Sequence, residues 1–293
     1  MTPMADTALE TFLRRDRVIV AISLLALTGI TWLYILWLAA SMGATAIMPA
    51  SGDAMSGGIA MDMGTGSDMD MSPGAMASMT DVAVRPWSAA TFAYAFVMWA
   101  VMMIGMMTPS ATPMILLYAR VGRQAALDDK PFAATGFFAG GYLSAWILFA
   151  ALATLGQWLL EEALLLTPMM ASASRILSAV ILISVGLYQW TPLKDACLRQ
   201  CQAPFLFIQN HGGFRRDAGG ACRLGLLHGL YCVGCCWALM ALLFIGGVMN
   251  VLWIALIAIF VLAEKVVPGD RMLSRIAGTL IVMAGLWQLA AMT

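Results

Sequence analysis

Long apolar runs constrain the fold of this chain more than any other feature of its sequence. Several runs reach or exceed about 18 residues, the length at which an apolar stretch predicts a transmembrane helix. Hydrophobic residues make up 61% of the 293 positions and charged residues only 11%, whereas soluble domains contain about 25% charged residues. Because a spanning segment must satisfy its own backbone hydrogen bonds, we expect an all-α, polytopic integral membrane protein in contact with the lipid bilayer.

Hydropathy and charge together predict about seven transmembrane helices and their orientation. The expected spans are residues 18–42, 89–119, 132–157, 173–191, 222–246, 249–265 and 272–291. Fourteen of the sixteen Lys and Arg residues fall in the segments 1–17, 120–131, 192–223 and 264–275. Because cytoplasmic loops are enriched in basic residues, we expect a bacterial inner-membrane protein with a cytoplasmic N-terminus and a periplasmic C-terminus. Cleavage of the first span at "ATA" (44–46) is an alternative, although its apolar run is longer than a usual signal-peptide core.

An internal repeat divides the chain. The segment "SRILSAVILISVGLYQ" begins at residue 174 and "SRIAGTLIVMAGLWQ" begins at residue 274. Three spans in each copy would invert the second copy relative to the first, as in many transporters, and this gives a plan of one helix plus an inverted 3+3 repeat. The expected units are a tail with the first helix (1–42), an outer loop (43–88), the first repeat (89–191), a cytoplasmic loop (192–221) and the second repeat (222–293).

The second span presents a ladder of methionines. In "MWAVMMIGMMTPSATPM" (98–114), the residues Met98, Met102 and Met106 recur every four positions and share a helix face. Met103 and Met107 form a second pair beside them. Thioethers are soft ligands that suit Cu(I), although methionine also serves as flexible apolar filler. Pro109 and Pro113 each remove a backbone donor, so we expect a kink, an unwound turn or a cytoplasmic extension near 108–113.

The fifth span carries a second group of candidate ligands. In "HGLYCVGCCW" (228–237), His228 and Cys232 share a helix face with Cys235 or Cys236. Imidazole and thiolates form a transition-metal ligand set, and an ionisable histidine inside a span predicts a functional site. The bland alternative is that the cysteines pack as small apolar residues and the histidine bonds a carbonyl. We expect Gly234 to permit unwinding and the two ladders to meet near mid-bilayer.

Two further sulfur-rich features lie outside the expected spans. The outer loop holds Met-Asp-Met at 61–63 and 69–71 within a Gly/Ser/Asp-rich tract that we expect to be disordered. We predict that Met61, Met63, Met69 and Met71 collect Cu(I), and a plain linker is the alternative. In the cytoplasmic loop, Cys197 and Cys201 are one helical turn apart, which suits either a metal hand-off or ordinary reduced thiols. No cysteine falls in an outer loop, so we expect no disulfide framework.

The chain resembles a bacterial family described as predicted metal-binding integral membrane proteins of unknown function. The resemblance covers about residues 88–291 and rests on three strings: "MWAVMMIGMMTPSATPMILLYARV" (98–121), "HGLYCVGCCWALMALLFIGGVMN" (228–250) and "LAEKVVPGDRMLSRIAGTLIVMAGLWQL" (262–289). It implies metal binding within a membrane and adds little about mechanism. The 3+3 plan is also similar, at the level of the fold alone, to the membrane thiol carriers of cytochrome biogenesis.

These patterns predict a protein that binds Cu(I), with Zn(II) or Ni(II) as alternative ions, and that transports or delivers it to a periplasmic metallochaperone or cuproprotein. The formal net charge of zero indicates no nucleic-acid partner. The sequence contains no phosphate loop, dinucleotide fingerprint or Ser-His-Asp set, and no buried acid pair is evident, so we expect no enzyme. The rival interpretations are a transmembrane thiol–disulfide carrier and an accessory docking subunit for copper-protein assembly.

Overall fold

The computed structural model of the protein describes residues 4–47, 87–127, 135–163, 174–267 and 271–291. The described residues form helices and no strands, which confirms the predicted all-α class. We number the helices in chain order: α1 (Met4–Ile47), α2 (Ala89–Leu127), α3 (Thr135–Glu162), α4 (Arg175–Tyr188), α5 (Pro192–Gln202), α6 (Pro204–Asn210), α7 (Ala218–Ala241), α8 (Leu243–Gly246), α9 (Val251–Val266) and α10 (Met272–Ala290).

Long apolar helices account for most of the described residues, as expected for a multi-pass membrane protein. Five stretches within the described ranges are long and apolar enough to cross a bilayer: Ile19–Ser41, Ala89–Gly122, Thr135–Glu162, Ala218–Gly246 and Met272–Ala290. The pair α4 and α5, bent by 64°, makes up to six. Helix α9 has 16 residues and is shorter than these spans. The count of seven and the inverted repeat therefore remain predictions.

Helix α7 lies in the most buried of the long apolar stretches. In its most apolar 18 residues 56% of the residues are buried, against 11% in the corresponding part of α1. It packs most extensively on α3, and this contact depends on glycines. A Cβ on Gly141 would collide with the carbonyl of Cys222, and a Cβ on Gly225 would collide with the carbonyl of Phe138. Small residues that let backbones approach closely are typical of helix pairs in membranes. This approach brings the side chains of α3 into the cysteine face of α7.

Helix α2 runs unbroken through both of its prolines, from Ala89 to Leu127. No unwound turn occurs near 108–113, and the helix continues eight residues beyond the predicted end at residue 119. Pro109 has no N–H to donate to the carbonyl of Gly105, four residues earlier. The indole N–H of Trp32 on α1 donates to that carbonyl instead, at 3.3 Å. The proline thus supplies the acceptor that helps to hold α1 against α2.

Helices α4 and α5 are joined by a short break and are bent by 64° relative to each other. Thr191 caps α5 by accepting a hydrogen bond from the Lys194 amide, and Pro192 occupies the first turn of α5. The segment 192–221 was expected to be a cytoplasmic loop, but it contains α5, α6 and the start of α7. Its polar composition hid these short helices, and α5 packs along α7.

The two segments that carry the sequence repeat lie in α4 and α10, which pack closely against each other. A Cβ on Gly186 would come within 2.7 Å of the Gly278 carbonyl, so the two backbones are nearly in contact. The greater part of the methionine-rich outer loop, with Met61, Met63, Met69 and Met71, lies outside the described residues.

Candidate metal centre

Three cysteines of α7 line a fully enclosed position in the bundle. Cys232, Cys235 and Cys236 are each 1–2% exposed. The thiols of Cys235 and Cys236 donate to the carbonyl of Cys232, at 3.0 Å and 2.9 Å. Helical spacing alone explains this arrangement, since residues three and four apart share a face. Helix α7 does not unwind at Gly234, contrary to expectation, and stays helical from Ala218 to Ala241.

Helix α5 adds a fourth thiol to this group. The thiol of Cys201, a half-buried residue, lies close to those of Cys232 and Cys235. Cys197, one turn earlier, places its Sγ against Gly234, where a Cβ would be only 2.8 Å away. Gly234 therefore provides space for a sulfur atom rather than a break in the helix. We call Cys201, Cys232, Cys235 and Cys236 the thiol cluster. The cysteine pair expected in a separate cytoplasmic loop is thus part of, or adjacent to, the same site.

Polar side chains of α3 and α9 contact the Cys232 sulfur, and they are linked in turn to α2. The Lys265 ammonium, on α9, donates to Cys232 Sγ at 2.8 Å and to the Ser110 hydroxyl of α2 at 2.9 Å. The Tyr142 hydroxyl, on α3, lies 3.1 Å from the same sulfur and donates to the Met107 carbonyl at 3.2 Å. The Ser110 hydroxyl donates to that carbonyl as well, at 2.9 Å. Cys232 is therefore the sulfur that joins α2, α3, α7 and α9.

All five methionines of the predicted ladder are buried in the core of the bundle. Met98, Met102, Met103, Met106 and Met107 are each 0–2% exposed. Tyr142 and Lys265 bridge the methionine helix α2 and the cysteine helix α7. The backbone carbonyl of Met107, the last methionine of the ladder, is thus linked to Cys232 through the Tyr142 hydroxyl.

His228 lies one turn from Cys232 and is 3% exposed. Its ring is surrounded by those of Phe138, Tyr142 and Phe207, with centroid distances of 6.1, 5.8 and 5.0 Å. Its Nδ1 atom makes no hydrogen bond within the described part of the chain, so the expected alternative of a bond to a carbonyl does not hold for this atom. A buried polar atom without a partner costs free energy, and a ligand that uses this nitrogen would remove the cost.

A second buried polar cluster lies beside the first and was not foreseen from the sequence. Lys194 on α5 is fully buried and forms an ion pair with Glu264 on α9 at 2.7 Å. Glu264 also accepts from the Ser274 hydroxyl at 2.6 Å, and Lys194 donates to Gln189. Sequence analysis assigned Lys194 and Lys265 to cytoplasmic segments because basic residues usually mark them. The available signal was the "EK" pair at the end of an apolar helix, in "LAEKVVPGD" (262–270).

A cavity of about 670 Å³ lies at the start of α7. Its walls include His211, Arg215 and Arg223, together with Leu224 and Leu227. Leu224 is one helical turn before His228, so the cavity reaches close to the buried histidine. The Phe207 ring lies between the two histidines, with centroid distances of 4.4 Å to His211 and 5.0 Å to His228.

The chemistry of this centre is that of soft ligands. Within the described ranges, no three His, Cys, Asp or Glu side chains meet in a group that could hold a metal ion, so the predicted four-residue set on α7 does not converge on one point. The structure instead brings thiols of α5 and α7 together in pairs. Thiolates and thioethers select Cu(I) over harder ions.

Comparison with known proteins supports a role in copper handling. No curated protein and no solved structure matches the chain. The sequence model of the PpoB2 family, whose description is "Copper chaperone", matches residues 96–288. The match begins at the methionine ladder on α2 and ends within α10, so it includes the thiol cluster, Tyr142 and Lys265. Since it covers about two thirds of the 293 residues, the chain belongs to the PpoB2 family of copper chaperones.

Proposed function

We propose that this protein holds Cu(I) on the thiol cluster inside the bacterial inner membrane and delivers it to a cuproprotein under assembly or to a periplasmic metallochaperone. It would act as a carrier of the ion and catalyse no reaction. The observation that carries the proposal is that Cys201 of α5 lies close to Cys232 and Cys235 of α7, two cysteines that are only 1–2% exposed.

The type of ligand and the surroundings of the thiols both suit Cu(I). Cu(I) is a soft, monovalent ion that is well served by a pair of thiolates. Thiols in an apolar bundle have few competing partners, and the interaction of opposite charges is stronger in a low dielectric than in water. Helices α4 and α5 are bent by 64°, and Tyr188 at the end of α4 donates a hydrogen bond to the Gly234 carbonyl of α7. Discontinuous helices of this kind form ion sites in many transporters.

The methionines would provide a path for Cu(I) to the thiol cluster. The buried ladder on α2 ends at Met107, whose carbonyl is bound by the tyrosine that also contacts Cys232. Weak thioether ligands spaced one turn apart would let Cu(I) move between the outer side and the thiol cluster. The Met-Asp-Met motifs of the outer loop would collect the ion first. Rocking of the two repeats would then expose the site alternately to the two sides.

A thiol–disulfide carrier is the second candidate, and the proximity of Cys201 to Cys232 and Cys235 is the observation in its favour. Such a carrier would need these thiols to cycle between a dithiol and a disulfide. It would give no role to the methionine ladder, the outer methionines or the unpaired nitrogen of His228. The docking subunit is a weaker candidate, because it gives no role to a buried thiol cluster.

The first experiment is an anaerobic Cu(I) titration of the reduced, detergent-purified protein against a competing chelator. We expect tight, stoichiometric binding, and a loss of affinity of at least about tenfold in Cys232→Ser and Cys201→Ser, because each removes a soft ligand. Cys222→Ser is the matched control, since Cys222 is an exposed cysteine at the start of α7, and this variant should bind like the wild type.

Two results would contradict the proposal. Wild-type protein that takes up no tight Cu(I) would exclude the thiol cluster as a copper site. Thiols that form a reversible disulfide between Cys201 and a cysteine of α7, without copper binding, would favour the carrier.

A further inference from the structure

Lys265 is a buried basic residue whose side-chain nitrogen contacts a sulfur. It is 9% exposed and donates to Cys232 Sγ at 2.8 Å and to Ser110 Oγ at 2.9 Å. Within the described part of the chain, its ammonium forms no ion pair with a carboxylate. A buried charge is costly unless a charge of opposite sign lies beside it. Of the two groups to which Lys265 donates, only the Cys232 thiol can take up a negative charge by losing its proton.

The carboxylate next to Lys265 in the sequence, that of Glu264, does not pair with Lys265. Glu264 precedes Lys265 on α9, yet it forms its ion pair with Lys194 at 2.7 Å and accepts a hydrogen bond from Ser274 at 2.6 Å. The amide of Gln202 also donates to the Glu264 backbone carbonyl at 2.7 Å. This cluster is electrically neutral by itself, so it leaves the positive charge of Lys265 to be balanced within the thiol cluster.

Counting charges in the thiol cluster shows which metal ion fits beside Lys265. Among the described residues no three of the thiols meet in one group, so the site offers a metal ion two thiolates at a time. Two thiolates and one Cu(I) carry a net charge of minus one, and the Lys265 ammonium brings the sum to zero. Two thiolates and a divalent ion are neutral already, so the ammonium would leave an uncompensated positive charge in the membrane interior. Such a charge is unfavourable in a medium of low dielectric constant. The same fixed cation therefore favours a monovalent ion and disfavours a divalent one.

We infer that Lys265 is a specificity-determining residue that makes the thiol cluster selective for monovalent Cu(I) over divalent ions such as Zn(II). The inference rests on the proposed function, since it assigns a role within the same copper site. It differs from a purely structural role for Lys265, because a structural role would affect both metal ions alike. It also gives a physical reason for retaining a lysine at the end of an otherwise apolar helix.

The test compares Cu(I) and Zn(II) dissociation constants of the wild type, Lys265→Met and Lys265→Arg, by anaerobic competition with chelators for each ion. In Lys265→Met we expect Cu(I) binding to weaken at least about tenfold, because the anionic complex loses its counter-charge, and Zn(II) binding to stay equal or tighten. Lys265→Arg keeps the charge and should keep the wild-type ratio of the two constants.

The outcomes separate this inference from the proposed function. Wild-type protein without tight Cu(I) binding overturns both. Tight Cu(I) binding in the wild type, with both constants of Lys265→Met unchanged or weakened by the same factor, overturns the role of Lys265 alone. If Lys265→Met does not fold, as judged by size-exclusion profile and circular dichroism, Lys265→Gln provides the same loss of charge with a polar side chain.

Discussion

At the residue scale, a substitution of His228 should change thermal stability and metal binding in different ways. Its ring packs against three aromatic rings while Nδ1 has no hydrogen-bond partner among the described residues. Phenylalanine should fill this position without leaving a polar atom unpaired, a feature that costs about 1–3 kcal/mol. We therefore expect His228→Phe to melt at the wild-type temperature or above it without metal, and to bind Cu(I) more weakly.

Thermal unfolding of the metal-free protein and the chelator competition described above check this prediction. His228→Ala, which leaves a cavity, serves as the comparison that should lose stability. Unchanged Cu(I) affinity in His228→Phe would remove His228 from the ligand set and leave it a packing residue.

Sequence reasoning at this scale found the cysteines of α7, the histidine and the methionines, because chemically unusual residues at helical spacing are visible in a single chain. It missed Tyr142, Ser110 and Lys265, which contact Cys232 or lie beside it. Each is a common residue type in its own helix, and only its tertiary contacts place it at the site. Lys265 was moreover read as a flanking charge, since statistics place lysines outside the membrane.

At the element scale, the contact between α1 and α2 can be measured as an interaction between two residues. Trp32 donates to the Gly105 carbonyl at 3.3 Å, and that carbonyl is free because Pro109 has no N–H. Trp32→Phe should therefore lower the free energy of unfolding by about 1 kcal/mol in the wild-type background. In a Pro109→Ala background the alanine N–H can bond Gly105, and the same substitution should cost less.

A double-mutant cycle made from these two substitutions gives the coupling directly. Equal costs of Trp32→Phe in both backgrounds would mean that the tryptophan acts through apolar packing rather than through the carbonyl that the proline frees.

The long helices were predictable because apolar runs of this length leave few other structures. The predicted boundaries of 89–119 and 222–246 compare with Ala89–Leu127 and Ala218–Ala241. The short helices α5 and α6 were not predicted, since their composition is that of a polar loop. Only Pro192 and the capping residue Thr191 marked the start of α5. The position of α5 against α7, which places Cys201 in the thiol cluster, depends on packing that no local pattern records.

At the scale of the whole molecule, the number of crossings determines whether the two termini lie on the same side of the membrane, and α9 decides that number. Its 16 residues, Val251–Val266, span about 24 Å, somewhat less than a hydrocarbon core of about 30 Å. Bilayer thinning can accommodate a short helix at modest cost. The charged Glu264 and Lys265 are buried in protein rather than exposed to lipid. We therefore expect α9 to cross, with the bent pair α4 and α5 counting as one crossing.

Reporter fusions test this expectation, with one reporter active only in the periplasm and another fluorescent only in the cytoplasm. A fusion after residue 250 should report the periplasm, a fusion after residue 270 the cytoplasm, and a fusion at the C-terminus the periplasm again. If the fusions after 250 and 270 report the same side, α9 is re-entrant, the crossings number six, and both termini face one compartment. The inverted repeat would then be excluded, because the second copy would no longer cross three times, whereas the thiol cluster and Lys265 would keep their contacts unchanged.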